Sequence, residues 1–133
     1  MQFLIYPKAD SSRHYPSSAA FADGFGLESA NMAYYDEAYR ADVRHWRHSP
    51  ILANQAGMAP TLVVTAGLDP LRDEGRAYAA KAIEAGVQVT YREIPGTIHG
   101  FATYRRAIAS AQQDLDAMLA IARTILLPMF RSH

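Results

Sequence analysis

Two ionisable residues stand where a hydrophobic run has just ended and the chain must turn. Asp69 follows "TLVVTAG" and precedes Pro70, which bars the run from continuing, and His99 follows "VQVTYREIP" in the stretch "EIPGTIHGFA", between Gly96 and Gly100. An aspartate and a histidine brought together make a general base. The carboxylate accepts the Nδ1–H, fixes the tautomer and stabilises the imidazolium, and Nε2 is left to take a proton. Thirty positions separate the two residues, enough for one helix and one return strand. Ligands of a parallel α/β sheet bind at the carboxyl ends of its strands, and this spacing predicts that both loops share one rim. Two other readings stay open at this point. Asp69 before Pro70 is also a common turn opener beside the equally acidic Asp73, and His99 fits a hydrogen-bonded loop histidine without chemistry.

The elements that must position the pair follow from periodicity. Gln2–Tyr6 is a short apolar run ended by Pro7, the pattern of a buried strand. Thr61–Gly67 is a continuous β-branched run, as expected of a strand buried on both faces. Asp73–Gly86 reads as a helix, with Asp73 as N-cap, Glu74 in the first turn and Gly86 at C′. Val87–Pro95 reads as a second strand, so the unit is a right-handed βαβ with parallel strands. Ile108, Ala111, Leu115, Met118, Leu119, Ala122, Ile125 and Leu126 then recur as one apolar stripe on a long helix ended by Pro128. Earlier in the chain, Lys8–Gly26 reads as a long loop and Leu27–Trp46 as a helix-favouring, Tyr-rich segment broken at Ser49-Pro50. The expected organisation is a single partial domain over 1–133, with a loop-and-helix segment at 8–48 and a βαβα unit at 49–127.

Composition narrows the function classes. The chain has 133 residues, 50% hydrophobic and 20% charged, the balance of one globular domain. Thirteen basic and thirteen acidic side chains cancel, which argues against nucleic acid or an anionic membrane as partner. The absence of cysteine excludes disulfides and thiolate metal sites. The opening apolar run is too short for a signal-peptide core or a membrane span, so a cytoplasmic location is the default expectation. His45 and His48 have a spacing that can share a metal, but without a third ligand they read as a solvated helix face, and no metal or cofactor is expected. Tyr34, Tyr35 and Tyr39 suit either the wall of an acyl pocket or, more commonly, packing onto the core, and Asp114 and Asp116 read as solvated.

The segment from Ser49 to Phe101, with "DPLRDEG" and "HGF" in that order, resembles the C-terminal half of the hormone-sensitive-lipase-like esterases of the α/β-hydrolase superfamily. "FLIYP" near the start resembles that family's sixth strand. The resemblance implies the C-terminal part of an α/β-hydrolase fold, about three mainly parallel strands with flanking helices, lacking the first five strands. It also implies that Asp69 and His99 are the acid and base of a Ser–His–Asp triad. The departure is equally specific. In this fold the serine comes first, in a G-x-S-x-G elbow preceded by an HGGG-type oxyanion loop, and neither motif occurs. None of serines 11, 12, 17, 18, 29, 49, 110 and 132 is centred in such an elbow, and "GLESA" (Gly26–Ala30) has its serine displaced. The expectation is therefore a truncated carboxylic ester hydrolase, inactive alone. The alternatives are a non-catalytic self-associating remnant, or one half of a two-chain esterase. The strand Gln2–Tyr6 would lack its neighbour, which predicts a homodimer or higher oligomer through that edge, or a separate N-terminal hydrolase fragment as partner.

Overall fold

The computed structural model describes residues 1–130. Among them run β1 (Gln2–Ile5), α1 (Pro16–Ala20), α2 (Ser29–Tyr39), β2 (Thr61–Leu68), α3 (Arg72–Glu84), β3 (Val89–Ile98) and α4 (Ala111–Leu126), with 3-10 turns at Pro50–Leu52 and Leu127–Phe130. The described strands form one parallel sheet in the order β1-β2-β3, with Gln2 beside Thr61 and Thr61 beside Val89. The fold is α/β, three parallel strands with flanking helices.

β2 is central, and its β-branched run explains why. Thr61 to Gly67 is buried on both faces, and alternation divides its side chains between two layers. Leu62, Val64 and Ala66 pack with Ile94, Phe101, Met118 and Ala122 on the α4 side. Val63 packs with Tyr78, Ala79 and Ile51 on the α3 side. α3 lies so close to β2 that a Cβ at Gly75 would meet the Thr65 methyl at 2.6 Å, so only glycine fits there without displacement.

Several boundaries differ from the sequence reading. α3 begins at Arg72 with Leu71 in the N-cap position, so Asp73 sits in the first turn and is not the cap. Gly86 does take the left-handed conformation that ends this helix, at φ +81°. β3 continues past Pro95 to Ile98. Pairing shifts there from Ala66 beside Ile94 to Leu68 beside Ile98. The missing Pro95 N–H and Gly96, at φ +71°, make that irregularity, and an outer strand tolerates it. The 8–26 segment is not all loop, because it folds α1. On α4, Ala111, Met118 and Ala122 are buried, but Leu119 is 42% exposed. At 100° per residue Leu119 falls off the one face that meets the sheet. Asp114 is half-buried where a solvated position was expected, while Asp116 is exposed and accepts Gln112 Nε2–H at 2.9 Å.

Candidate active site

Asp69 and His99 stand side by side at the carboxyl ends of β2 and β3. Asp69 follows the last residue of β2, and its side chain is 1% exposed. Its Oδ1 accepts the Leu71 N–H at 2.8 Å, and its carbonyl accepts the Arg72 N–H at 3.0 Å. Pro70 between them has no N–H, so the aspartate side chain itself closes the turn into α3. Oδ2 remains, 2.8 Å from His99 Nδ1. A carboxylate oxygen accepts there from an Nδ1–H, and the neutral tautomer that carries this hydrogen is the one that leaves a lone pair on Nε2. The His99 side chain is 25% exposed, with the Tyr6 ring 4.6 Å away and tilted 59° to it. Tyr6 holds a left-handed backbone at φ +39°, where a residue with a Cβ costs about 1–2 kcal/mol. Gly100, at φ +78°, turns the chain so that Phe101 is fully buried and packs edge-on against Tyr6.

A second set of contacts holds the aspartate loop. Buried Ser17, in α1, donates its hydroxyl to the Pro70 carbonyl at 2.8 Å and accepts the Asp73 N–H at 3.1 Å. Its own N–H donates to the Asp73 carboxylate at 2.9 Å. Burial works against the Asp73 charge, but hydrogen bonds from Arg72 and from Ser17 outweigh it and hold the carboxyl below its ordinary range. Arg72 Nη1 donates to the Gly67 carbonyl at 3.1 Å, bracing the end of β2. Buried Glu74 accepts the Ala9 N–H at 2.6 Å and the Asp10 N–H at 3.3 Å, tying α3 to the segment after β1. Nothing in the local sequence around Ser17 marked it. The one available signal for Glu74 was its place within "DPLRDEG".

His99 opens on a cleft of about 590 Å³ whose wall includes Tyr6, Leu27, Met32, Tyr35 and Leu71. Lys8 Nζ donates to Asp36 Oδ1 at 2.7 Å in that wall, joining the segment after β1 to α2.

Residues 1–103 match the family described as alpha/beta hydrolase fold. The chain belongs to that family. Among curated relatives it is 36% identical over 119 residues to the ethyl acetate hydrolase of Pseudomonas putida, covering 86% of this chain and 37% of that protein. It is 37% identical over 106 residues to the carboxylic ester hydrolase LipN of Mycobacterium tuberculosis, covering 76% of this chain and 28% of that one. Among solved structures, an ester hydrolase from the metagenome of Lake Arreo superposes with TM-score 0.83 and 44% identity, covering 90% of this chain and 39% of the other. The Pyrobaculum calidifontis esterase superposes with TM-score 0.86 and 27% identity, over 94% and 43% of the two chains. These residues thus span well under half the length of the hydrolases they match.

The other candidate residues of this chain are placed differently from the sequence reading. His45 and His48 lie in turns, not on a helix face, because α2 ends where Arg40 turns left-handed at φ +49°. His45 Nδ1 accepts the Arg47 N–H at 3.2 Å, and the His48 ring stacks on Tyr39 at 5.5 Å. Among the described residues no group of three His, Asp or Glu is arranged to hold a metal ion. Tyr34, Tyr35 and Tyr39 do not pack onto the core, being 68%, 58% and 70% exposed. Tyr35 and Tyr39 border the cleft, and Tyr34 lies outside it. No helix among the described residues is long and apolar enough to cross a membrane.

Proposed function

We propose that these residues supply the acid and the base of a carboxylic ester hydrolase, with Asp69 orienting and His99 transferring the proton. The attacking serine and the oxyanion donors come from residues outside this sequence. The observation that carries the reading is the 2.8 Å contact between Asp69 Oδ2 and Nδ1 of His99, a residue that lines a mostly apolar cleft. In the completed site the serine hydroxyl gives its proton to His99 Nε2 as its oxygen attacks the ester carbonyl carbon. Asp69 stabilises the imidazolium, which then protonates the departing alkoxide. Water repeats the attack on the acyl-enzyme by the same route, releasing the acid and restoring the serine.

Without serine and oxyanion donors the 133-residue polypeptide is expected to show only background hydrolysis. A triad lacking its nucleophile loses about a million-fold, and the residual rate normally comes from the oxyanion hole and binding. Purified polypeptide incubated with p-nitrophenyl butyrate checks this. Turnover above background that disappears in His99→Ala would overturn it.

A second reading, self-association, is favoured by β1. It is an edge strand whose four residues are all half-buried, and its outer backbone groups have no strand beside them among the described residues. In the polypeptide alone a second copy covers this edge, β1 against β1. Light scattering is expected to give twice the 14.7 kDa of one chain, and a well-behaved monomer would refute the pairing. A separate N-terminal hydrolase fragment fits the same edge. Its addition would then replace the homodimer with a one-to-one complex that hydrolyses esters.

A further inference from the structure

The cleft before His99 is mostly apolar, yet three charged residues are among those that line it: Lys8, Asp36 and the exposed Arg47. Two of them cancel, since Lys8 Nζ and Asp36 Oδ1 form an ion pair at 2.7 Å. Arg47 is in a different position. Among the described residues no carboxylate stands within ion-pair distance of it. Its guanidinium lies over the Trp46 ring, 5.2 Å from the centroid.

The segment carrying Arg47 is held by its own turns. The Asp42 carboxylate accepts the Arg44 N–H at 2.9 Å, His45 Nδ1 accepts the Arg47 N–H at 3.2 Å, and fully buried Ser49 donates its N–H to the His45 carbonyl at 2.9 Å. The neighbouring His48 ring, also in the cleft wall, is stacked on Tyr39 of α2. A guanidinium resting on an aromatic face keeps its planar fork of donors, and that fork matches a carboxylate in two parallel hydrogen bonds.

We infer that the cleft takes esters bearing a second, ionised carboxylate, which Arg47 binds while the ester carbonyl faces His99. The apolar wall between them receives the alkyl spacer. Lys8 does not compete for the anion because Asp36 already occupies it. The ester half of this inference rests on the hydrolase reading, and the anion half rests on Arg47 alone.

Trp46 is the single tryptophan of the chain, so its fluorescence reports directly on the guanidinium above it. The polypeptide is titrated at low salt with monomethyl glutarate and with methyl valerate, which has a comparable chain length but no carboxylate. Saturable binding of the glutarate monoester is expected, at least about fivefold tighter than the neutral ester and weakening as salt rises. Arg47→Gln should bring the two ligands to one affinity, and Arg47→Lys should keep part of the preference. Equal affinities in the unaltered chain would overturn the inference, as would no saturable response to either ligand. A preference that survives Arg47→Gln would assign the anion to Lys8 and also overturn it. The readout needs no turnover. Binding of the monoester by a completed site that cleaves no ester would sink only the hydrolase reading, and the converse result would sink only the anion subsite.

Discussion

In a hydrolase completed by joining the N-terminal part of the Pseudomonas putida relative to these 133 residues, His99→Ala is expected to lower kcat about a million-fold. Asp69→Asn should lower it about ten-thousand-fold. The two losses differ because the residues act differently. Without His99 nothing takes the serine proton. Asparagine at position 69 keeps an oxygen for the Leu71 N–H, now 2.8 Å from Oδ1, but turns an N–H toward His99 where Oδ2 now accepts. The imidazole must then present its Nδ1 lone pair, and the proton moves to Nε2, the nitrogen that should be the base. The Asn variant should therefore keep KM within a few-fold while kcat falls, with circular dichroism unchanged. A loss of less than tenfold in either variant would remove Asp69 and His99 from the chemistry.

The stability of the chain should fall as pH rises from 5 to 8, and Glu74 is the reason. Burial pushes its carboxyl up to about 7 from the ordinary 4.5, with only partial opposition from the Ala9 and Asp10 N–H donors. Between those two values the folded state holds a proton that the unfolded state has released. The stability present at pH 4.5 is therefore lost progressively up to pH 7 and is flat above it, by about 3 kcal/mol in total. The acidic groups Asp10 and Asp73 work in the opposite sense, because their carboxyls are held below the ordinary range. Burial opposes their charge, but hydrogen bonds to Ser12 and Tyr15 for Asp10, and to Arg72 and Ser17 for Asp73, prevail. Their contribution is lost only on acidification below about pH 4, outside the window. Urea denaturation at pH 5 and pH 8 measures the difference, and Glu74→Gln should remove most of it. An unchanged slope in that variant would show that another group carries the pH dependence. The effect reaches the site because Glu74 anchors the segment bearing Lys8, which lines the same cleft as His99.

The sequence made some of this legible through local patterns. The β-branched run of β2 has the pattern of a strand buried on both faces, and it is one. Pro70 and the glycines around His99 marked where the chain turns, and thirty residues between Asp69 and His99 allowed one helix and one parallel return. Elsewhere local pattern pointed the wrong way. The tyrosines of α2 looked like core residues, but they lie exposed or along the cleft. A helix-favouring sequence says nothing about which face will find a partner, and α2 buries none of its described residues. Leu119 belonged to the right period and still fell outside the contact, because α4 meets the sheet along one narrow line.

By itself, then, the sequence determined the order of the three strands and of helices α3 and α4, and it singled out two residues able to make a base. Hydrophobic period, β-branching, proline and glycine act within a few residues of themselves. Tertiary structure alone decided what those residues meet. The β2–β3 register shifts by two residues after Pro95, and this sets where His99 stands relative to Asp69. Ser17 reaches the aspartate loop across 53 positions, Glu74 reaches Ala9 across 65, and Lys8 reaches Asp36 across 28. Such contacts have no periodic trace in the chain, because a buried polar group is specified by the partner that the packed layers bring to it.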